Sequence, residues 1–303
     1  YSFSGAWKLS NEKFIHLPEW VSSIKLRGSY GKLGNNTIAP YFFATTINSF
    51  AGYDFNNALA PGTTVVASLD PNVKWEDNET TDVAVEIGLF DNDLQFTAEY
   101  FVKNSTNLLI GVPLPYSTGA FPASITTNAG AMENKGFEFS ATYNNNHKEF
   151  KYSISANLGT LQNEVKQIGI NGNPIYGAAS KTEVGRSMGE IFAYETAGIF
   201  QDAADPAASP TQTNAGVGDL KFKDINEDGM ISDLDRTYQG ITIPKYSYGV
   251  NFSANYKNWD FSMFWQGAGG NKVFNSIYRN LMAGQYGNHH TDMLNYWTPT
   301  NTN

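Results

Sequence analysis

The sequence lacks several features that would assign it to a common class of protein. It has no cysteine among its 303 residues, which excludes a disulfide framework and thiolate metal sites. No apolar run approaches the ~20 residues of a transmembrane helix. Its 20 Lys and Arg residues are outnumbered by 29 Asp and Glu residues. The formal net charge of −9 argues against a nucleic-acid partner, because nothing in the chain could neutralise a run of phosphates.

Sites for catalysis are also scarce in the sequence. No grouping of serine, histidine and acid has a supporting context, because the hydroxyl residues are spread across predicted loops and polar strand faces. The segment Gly185–Gly189 lacks the Lys-Ser/Thr ending of a phosphate-binding loop. His289, His290 and Asp292 could bind a metal ion, but adjacent histidines in an extended chain point in opposite directions, which favours a polar loop. We therefore expect that the protein is not an enzyme.

Aromatic residues and glycine are abundant, and they lie in alternating segments. The chain has 28 Gly, 17 Tyr and 20 Phe, with only 16% charged residues, a composition typical of β structure with long loops. Three pairs of segments alternate apolar and polar residues around the short polar turns 91–93, 144–148 and 257–258. This period of two predicts antiparallel hairpins. The predicted strands are 22–33, 79–90, 94–104, 133–144, 149–162 and 245–256.

The predicted hairpins are joined by long connections on the side opposite the short turns. These connections cover 34–78, 105–132, 163–244 and the chain from 266 onward. Short turns on one side and long loops on the other are typical of an outer-membrane barrel and uncommon in compact soluble domains. Strand parity then places 163–244 in one long extracellular loop region, in which 190–200 and 220–223 form a projecting hairpin.

Each predicted strand has one apolar face and one polar face. The positions assigned to the polar face are Thr81, Glu86, Gln95, Thr97, Glu99, Glu138, Ser140, Thr142, Ser153, Ser155, Asn251, Ser253, Asn255, Asp260 and Ser262. In a barrel this face lines the lumen and the apolar face meets lipid, whereas in a β-sandwich the apolar face is the core. Alternation alone does not choose between them, although aromatic residues near strand ends favour the barrel. The alternative is a secreted or surface-attached sandwich, braced by calcium, that binds glycan or a protein partner.

A twelve-residue segment at 224–235 has the spacing of a calcium-binding loop. Oxygen-bearing side chains occupy its positions 1, 3, 5, 9 and 12, and Gly229 stands at position 6, where the backbone must turn sharply. A surface turn rich in Asp and Gly is the simpler alternative. The segment before the loop predicts a strand, so a helix–loop–helix pair is not expected. The predicted Ca²⁺ ligands are Asp224, Asn226, Asp228, the carbonyl of Met230, Ser232 and Asp235.

Aromatic residues also occur in the predicted loops, where they could stack on sugar rings or contact a partner protein. For any one of them, loop packing or a place in a membrane girdle is the commoner role. The residues are Tyr116, Phe121, Tyr176, Trp265, Tyr286 and Trp297.

Several short blocks of sequence follow one another along the chain in a distinctive order. They are Trp7 with Ser10, Glu12 and Phe14, then Leu26–Gly31, Trp75-Glu76, Tyr100–Leu109, Val112–Pro115, Asn128–Glu138, Gly198–Phe200, Gly218–Gly229 and Gln266–Gly270. Each block alone is a modest signal. In this order they resemble the SusC/RagA family of TonB-dependent outer-membrane transporters.

The resemblance implies an all-β fold in which residues 1–303 form part of an antiparallel transmembrane β-barrel of about 22 strands with long extracellular loops. It covers only the later part of such a barrel, and both ends of the chain look cut within predicted elements. The family resides in the outer membrane of Gram-negative bacteria, here Bacteroidota-like. It imports oligosaccharides or peptides together with a SusD-like surface lipoprotein, and TonB–ExbB–ExbD supplies energy through a plug. We therefore expect contact with outer-membrane lipid and with these partners.

Overall fold

The computed structural model describes residues 1–36, 46–115, 117, 124–169, 171–283 and 287–302. The described chain is mostly extended, and its helical segments are α1 (Ser276–Ala283) and short 3-10 turns. None of its helices is long and apolar enough to cross a membrane. The strands are β1 (Ser2–Lys8), β2 (Val21–Asn35), β3 (Thr46–Phe55), β4 (Ala58–Leu69), β5 (Glu76–Leu89), β6 (Leu94–Pro113), β7 (Ser124–Asn145), β8 (Phe150–Thr160), β9 (Gln162–Ile168), β10 (Ile175–Tyr176), β11 (Ser180–Thr182), β12 (Glu190–Tyr194), β13 (Thr196–Ile199), β14 (Leu220–Phe222), β15 (Arg236–Gly240), β16 (Tyr246–Tyr256) and β17 (Trp259–Gly269).

The chain divides into two compact units. The first, which we call the sheet unit, comprises Tyr1–Ile175, Thr182–Met188 and Ile243–Gly270. The second, which we call the loop unit, comprises Tyr176–Lys181, Gly189–Thr242 and Asn271–Asn303.

An eleven-stranded sheet forms the sheet unit. Its path runs β1-β2-β5-β6-β7-β8-β16-β17, and each neighbouring pair on this path is antiparallel. Strand β9 pairs with β7, and the β3–β4 hairpin joins the sheet through a short parallel pairing of β4 with β7. Neighbours in sequence are mostly neighbours in space because short turns connect them.

The three predicted hairpins are confirmed as β5–β6, β7–β8 and β16–β17. The first turn contains three consecutive left-handed residues, Phe90, Asp91 and Asn92, with φ between 52° and 66°. Asp and Asn tolerate this conformation better than most side chains do. The turn closes when the amide of Asp93 donates to the carbonyl of Phe90 at 3.0 Å.

The predicted long connections contain more strand than the sequence pattern indicates. Strands β6 and β7 remain paired beyond the predicted limits, because the ladder resumes after register shifts near Leu108, where Asn107 has φ of 56°. The hairpin β3–β4 and the strand β9 also lie within segments predicted to be loops. Turn-forming residues such as Asn107 therefore mark a bulge here rather than the end of a strand.

The loop unit differs from the single hairpin predicted within it. Strand β13 does pair with β14, as expected. However, β12 pairs instead with β15, a strand that the pattern did not predict, in the sheet β10-β11-β12-β15. The chain therefore changes sheets near Glu195. Phe200 follows β13 and is 1% exposed, which places it in the core of this unit.

Candidate functional site

The strand register places the large apolar side chains on one face of the sheet unit, which we call the apolar face. One row across the sheet consists of Leu26, Val85, Ala98, Phe139, Leu158 and Tyr248. These side chains are not covered like a core, since Val83 is 55% exposed, Phe137 50% and Leu158 41%. A sandwich would cover such a face with a second sheet.

The apolar face has a sharp upper limit on the side away from the short turns. From Leu94 to Val102 on β6 the chain advances about 27 Å at ~3.4 Å per residue, close to the ~25 Å apolar band of a membrane barrel. Two residues further along, the same face becomes charged. There Lys32 pairs with Glu79 at 3.0 Å and Lys166 pairs with Glu133 at 3.3 Å.

Thr81 marks this upper limit, and its predicted placement on the polar face is wrong. It stands opposite Tyr30 and Val102 in the ladder and therefore shares the face of Val83. The remaining polar-face assignments agree with the register. Thr81 was misassigned because its hydroxyl was weighed above its parity with Val83.

A charged network lies on the opposite face, which we call the polar face. Arg27 Nε lies 3.0 Å from Glu86 Oε1, its Nη1 lies 3.7 Å from Asp82 Oδ1, and its Nη2 also pairs with Glu99. Lys25 Nζ contacts Glu86 at 3.1 Å. These residues come from three neighbouring strands because they are in adjacent ladder positions. Arg27, Glu86 and Glu99 line an open cavity of about 500 Å³ with residues of β7, β8 and β16.

The predicted calcium loop belongs to the loop unit, where hydrogen bonds close it on itself. The amide of Gly229 donates to Asp224 Oδ2 at 2.8 Å, which folds the loop back onto its first residue. Asn226 accepts from the amide of Asp228 at 3.2 Å, and Asp228 accepts from the amide of Met230 at 2.9 Å. The turn requires left-handed φ values of 59° at Glu227 and 81° at Gly229.

Asp235, the last residue of the loop, is fully buried. Its Oδ2 accepts from the amide of Ser232 at 2.7 Å, and its Oδ1 accepts from the amide of Ile225 at 2.9 Å. Together with the Ser232 hydroxyl, which accepts from the amide of Leu234, this forms a capping box for a 3-10 turn. These amides, with that of Ser232 foremost, hold the pKa of Asp235 below its ordinary value of 3.8, although burial opposes them.

One oxygen of the loop is buried without a hydrogen-bond partner. Asp224 Oδ1 has none, whereas Asp224 Oδ2 is bonded to Gly229. A buried carboxylate oxygen without a partner is costly and calls for a compensating donor or cation. Among the described residues, no group of three or more histidine and acidic side chains is positioned to hold a metal. A cation would therefore also need oxygens from Asn226, Ser232 and the main chain.

Neighbouring segments hold the loop on two sides. Thr211 forms an isolated parallel bridge with Met230, in which the Thr211 amide donates to Gly229 O at 2.8 Å. Asp233 accepts from the hydroxyl of Tyr194 at 3.2 Å and pairs with Arg236 at 2.9 Å. The loop is therefore tied to β12 and β15 at its end and to the 211 segment at its middle.

The other candidate polar residues do not assemble a catalytic site. Gly185–Gly189 also has the Gly-x-Ser-x-Gly spacing of a nucleophile elbow, a match that the sequence interpretation overlooked. However, Ser187 is 7% exposed, and its hydroxyl donates to Asn163 Oδ1 at 3.2 Å. His290 contacts Asp292 at 3.2 Å, whereas His289 Nδ1 lies 3.3 Å from the carbonyl of Leu281.

The six aromatic residues singled out in the predicted loops lie in different parts of the chain. Tyr116, Phe121 and Tyr286 lie outside the described residues. Tyr176 packs with Phe192 in the loop unit, where Lys181 lies over both rings. Trp265 lies on the apolar face opposite Val250 and is 49% exposed. Trp297 lines a cleft of the loop unit.

Comparison with known proteins relates the whole chain to one family. Residues 1–301 match the family model described as TonB dependent receptor-like, beta-barrel. TonB-dependent receptor P26 of Formosa agariphila is 31% identical over 310 residues, which cover 99% of this chain and 31% of that protein. TonB-dependent receptor SusC of Bacteroides thetaiotaomicron is 23% identical over 291 residues, which cover 92% of this chain and 28% of that protein.

A solved structure has the same fold. The structure of the RagAB peptide transporter superposes with a TM-score of 0.79 at 22% identity, over 99% of this chain and 32% of that chain. The chain therefore spans less than a third of the length of these relatives. The expected fold, an antiparallel portion of a barrel wall, is confirmed, and the sandwich alternative is wrong.

Proposed function

Because this chain belongs to the TonB-dependent receptor-like β-barrel family, we propose that it forms part of the wall of an outer-membrane nutrient importer of SusC/RagA type. The observation that carries this proposal is the exposed apolar face, which ends at a charged row. Lipid is the solvent in which side chains such as Val83 and Phe137 are favourably placed. The polar face then lines the lumen, where Arg27, Glu86 and Glu99 tolerate water.

The chain spans less than a third of the length of its relatives, so the partners of the complete importer are also proposals. We propose that it works with a SusD-like surface lipoprotein and draws energy from TonB–ExbB–ExbD through a plug. Its substrate would be an oligosaccharide or a peptide, and its location the outer membrane of a Bacteroidota-like bacterium. The relatives support this assignment by name only, since they are a TonB-dependent receptor, SusC and a RagAB peptide transporter. We propose no enzymatic step.

We also propose that the 224–235 loop holds Ca²⁺ as a structural brace. Asp224 Oδ1 supports this proposal, because this oxygen is buried and accepts no hydrogen bond. Asp224, Asn226, Asp228, the Met230 carbonyl and Ser232 would supply hard oxygen ligands, which calcium prefers. Asp235 already accepts main-chain amides with both oxygens, so its contribution would be mainly to hold the loop in shape. The ion would supply positive charge and no chemistry.

The direct test of the importer proposal is the location and form of the native polypeptide. Membranes are fractionated, and an antibody to this stretch is used on boiled and unboiled samples. We expect an outer-membrane band larger than 33.3 kDa that shifts on boiling, since folded barrels resist detergent until heated. A soluble band near that mass, with no shift, would contradict the proposal.

A further inference from the structure

A cleft in the loop unit is not used by the proposed wall or by the calcium loop. Its volume is about 870 Å³, large enough for a small organic ligand or a few linked sugars. Strand β14 forms one side with Leu220 and Phe222, and the segment 212–219 forms a second side. The chain around Tyr296 and Trp297 forms the third side.

Trp297 is fixed in the cleft by contacts at two points. Its indole Nε1 donates to Gln201 Oε1 at 3.0 Å. Its ring lies against Gly218, where a Cβ would come within 2.9 Å of Trp297 Cε3, and where φ is +91°. Only glycine therefore permits both this backbone and this ring position. The Gly218 amide donates to the carbonyl of the buried Phe200 at 2.8 Å, which connects the contact to the core.

The segment that carries Trp297 is held by its own hydrogen bonds. Thr298 and Asn301 exchange two backbone hydrogen bonds of 2.9 Å, which close a turn directly after the tryptophan. The Asn301 side chain donates to Asn295 Oδ1 and to the Tyr296 carbonyl, both at 3.0 Å. Tyr296 and Trp297 are thus presented by a preorganised turn, which lowers the entropy lost on binding.

The charged side chains that line the cleft are acids, and its other non-aromatic polar side chains are the hydroxyl of Thr213 and the amides of Gln212, Asn214 and Asn295. Asp219 and Asp292 are among the lining residues, and none of the described lining residues is Lys, Arg or His. Asp292 is already bonded to the hydroxyl of Tyr278 at 3.1 Å. Asp219 accepts from the amide of Gly216 through Oδ2 at 2.8 Å, which orients its carboxylate. Such a cleft offers acceptors to hydroxyl groups and repels anions.

The edge of β14 in this cleft is already occupied and is not open to an extended peptide. Gln212 occupies the edge of β14 that faces away from β13. Its Nε2 donates to Leu220 O at 2.8 Å, and its Oε1 accepts from the Phe222 amide at 3.1 Å. Peptide binding by strand addition requires such main-chain groups. A cleft that has aromatic rings and hydrogen-bond acceptors, but no open edge on β14, favours a particular kind of ligand. Such a ligand has rings with an apolar face for stacking and hydroxyl groups around the ring.

We propose that this cleft is a binding subsite for neutral saccharides, with Trp297 and Tyr296 as the ring platform and Asp219 as a hydroxyl acceptor that excludes anionic sugars. The proposal rests on the proposed import function, for which it specifies a substrate class. It also assigns Gly218 the role of a positioning residue, because it acts through the ring of Trp297.

The test uses the full-length protein, purified in detergent, and a panel of neutral hexasaccharides with gluco, manno, galacto and xylo units in α and β linkage. Oligogalacturonate of the same length is the anionic probe. We expect at least one neutral hexasaccharide to bind in titration calorimetry. Trp297→Ala should weaken that binding by about tenfold or more, and Trp297→Phe should retain most of it. Trp265→Ala, which alters a tryptophan of the apolar face, should leave affinity unchanged.

Two further variants separate a binding role from a structural one. Gly218→Ala should weaken saccharide binding as Trp297→Ala does, since it displaces the same ring. Asp219→Asn keeps an oxygen for the Gly216 amide but loses the charge. It should therefore raise the affinity for oligogalacturonate relative to the neutral sugars, an effect that misfolding would not produce.

Several outcomes would overturn the subsite. They are the absence of binding to every neutral hexasaccharide, binding that survives Trp297→Ala, and loss of a co-purified lipoprotein in Trp297→Ala with saccharide binding intact. The last would make the surface a protein contact. A protein that binds no saccharide but is heat-modifiable in the outer membrane would refute the subsite alone, whereas a soluble protein would refute the importer.

Discussion

The sheet unit and the loop unit differ in the large side chains that they expose and bury. On the sheet unit, large apolar residues such as Phe137 and Trp259 are 50% and 78% exposed. In the loop unit, Phe200 is 1% exposed and the carboxylate of Asp235 is fully buried. The loop unit buries an apolar ring and holds a buried carboxylate with main-chain amides, whereas the sheet unit exposes the large side chains of its apolar face, as a protein surrounded by lipid does.

The two units also differ in how charge is used. Arg27 of the sheet unit contacts three acids on a face that lines an open cavity, and other ion pairs mark the limit of the apolar face. In the loop unit, backbone amides rather than basic side chains hold the Asp235 carboxylate. In the proposed wall, charge would mark the boundary between water and lipid, whereas the Asp235 carboxylate holds the backbone of the 224–235 loop.

The largest effect on barrel assembly is expected from placing a charged side chain on the apolar face. Val85→Lys places a charge near the middle of that face, which costs about 2–4 kcal/mol at the bilayer midplane. Thr97→Lys is the matched control, since Thr97 stands in the neighbouring ladder row on the polar face, opposite Glu86. We expect the heat-modifiable band of the full-length protein to fall for Val85→Lys and to remain for Thr97→Lys.

Equal assembly of the Val85→Lys and Thr97→Lys proteins would contradict the lipid-facing assignment of β5. Reduced assembly of both would indicate that neither β5 nor β6 tolerates a lysine at these positions, and the comparison of faces would then lose its support.

A smaller effect is expected from Asn163, a buried polar residue of the sheet unit whose side chain both donates and accepts hydrogen bonds. Asn163 accepts from the Met188 amide at 2.8 Å and donates to Asn134 at 2.8 Å. Asn163→Ala leaves these groups without partners, at a cost of about 1–3 kcal/mol. We expect faster hydrogen exchange in the 183–189 segment, measured by mass spectrometry. Gln167→Ala, an exposed position of the same strand, is the control, and equal exchange in both variants would refute this role.

Calcium should act on the loop unit and leave the sheet unit unchanged. If the 224–235 loop binds Ca²⁺, a chelator should increase protease cleavage between residues 200 and 240. Asp228→Ala and Asp224→Asn should show that cleavage even with Ca²⁺ present, because the first removes a proposed ligand and the second removes the negative charge of another. Barrel assembly, measured by the heat-dependent band shift, should not change. Cleavage that is insensitive to Ca²⁺ in the unaltered protein would contradict the calcium proposal.

The smallest effect is expected from acidification of the loop unit. Lys221, at 2.8 Å, is the main cause that holds the pKa of Asp205 below its ordinary value of 3.8. Since the folded pKa is lowered, the stability from this pair is present above the unfolded value and is lost as the pH falls below about 3.8. We expect the protection factors of amides in 201–221, which correct for the intrinsic pH dependence of exchange, to fall between pH 5 and pH 3, and to fall less in Asp205→Asn. An identical fall in the variant would contradict this role.

The sequence predicted the wall well because one physical rule governs it. Apolar and polar residues alternate with a period of two, so the face that each side chain of β5 to β8 occupies follows from its parity. The exceptions were places where a local signal misled. Asn107 suggested a turn but forms a bulge within β6. The hydroxyl of Thr81 suggested the polar face although its parity did not.

The loop unit was predicted less well because its contacts are distant in sequence and follow no period. Strand β12 pairs with β15, about 45 residues later, and short strands give a weak pattern. The loop's spacing indicated a cation site, yet nothing in it indicated that Asp235 would accept three backbone amides. The contact of Gly218 with Trp297 joins residues that only the folded unit brings together.

The central claim is that one face of the sheet unit meets lipid. Its most direct test is a cysteine scan along β6 from Leu94 to Asn104, in a chain that has no cysteine among its 303 residues. Each site carries a spin label in the full-length protein in bilayers, and its collision rates with oxygen and with a water-soluble nickel chelate are measured. We expect oxygen contact at Phe96, Ala98 and Tyr100, and chelate contact at Gln95, Thr97 and Glu99. We also expect chelate contact at Asn104, which shares the face of Tyr100 but lies beyond the limit of the apolar residues. Chelate contact at Phe96, Ala98 and Tyr100 equal to that of their neighbours would contradict the lipid-facing wall.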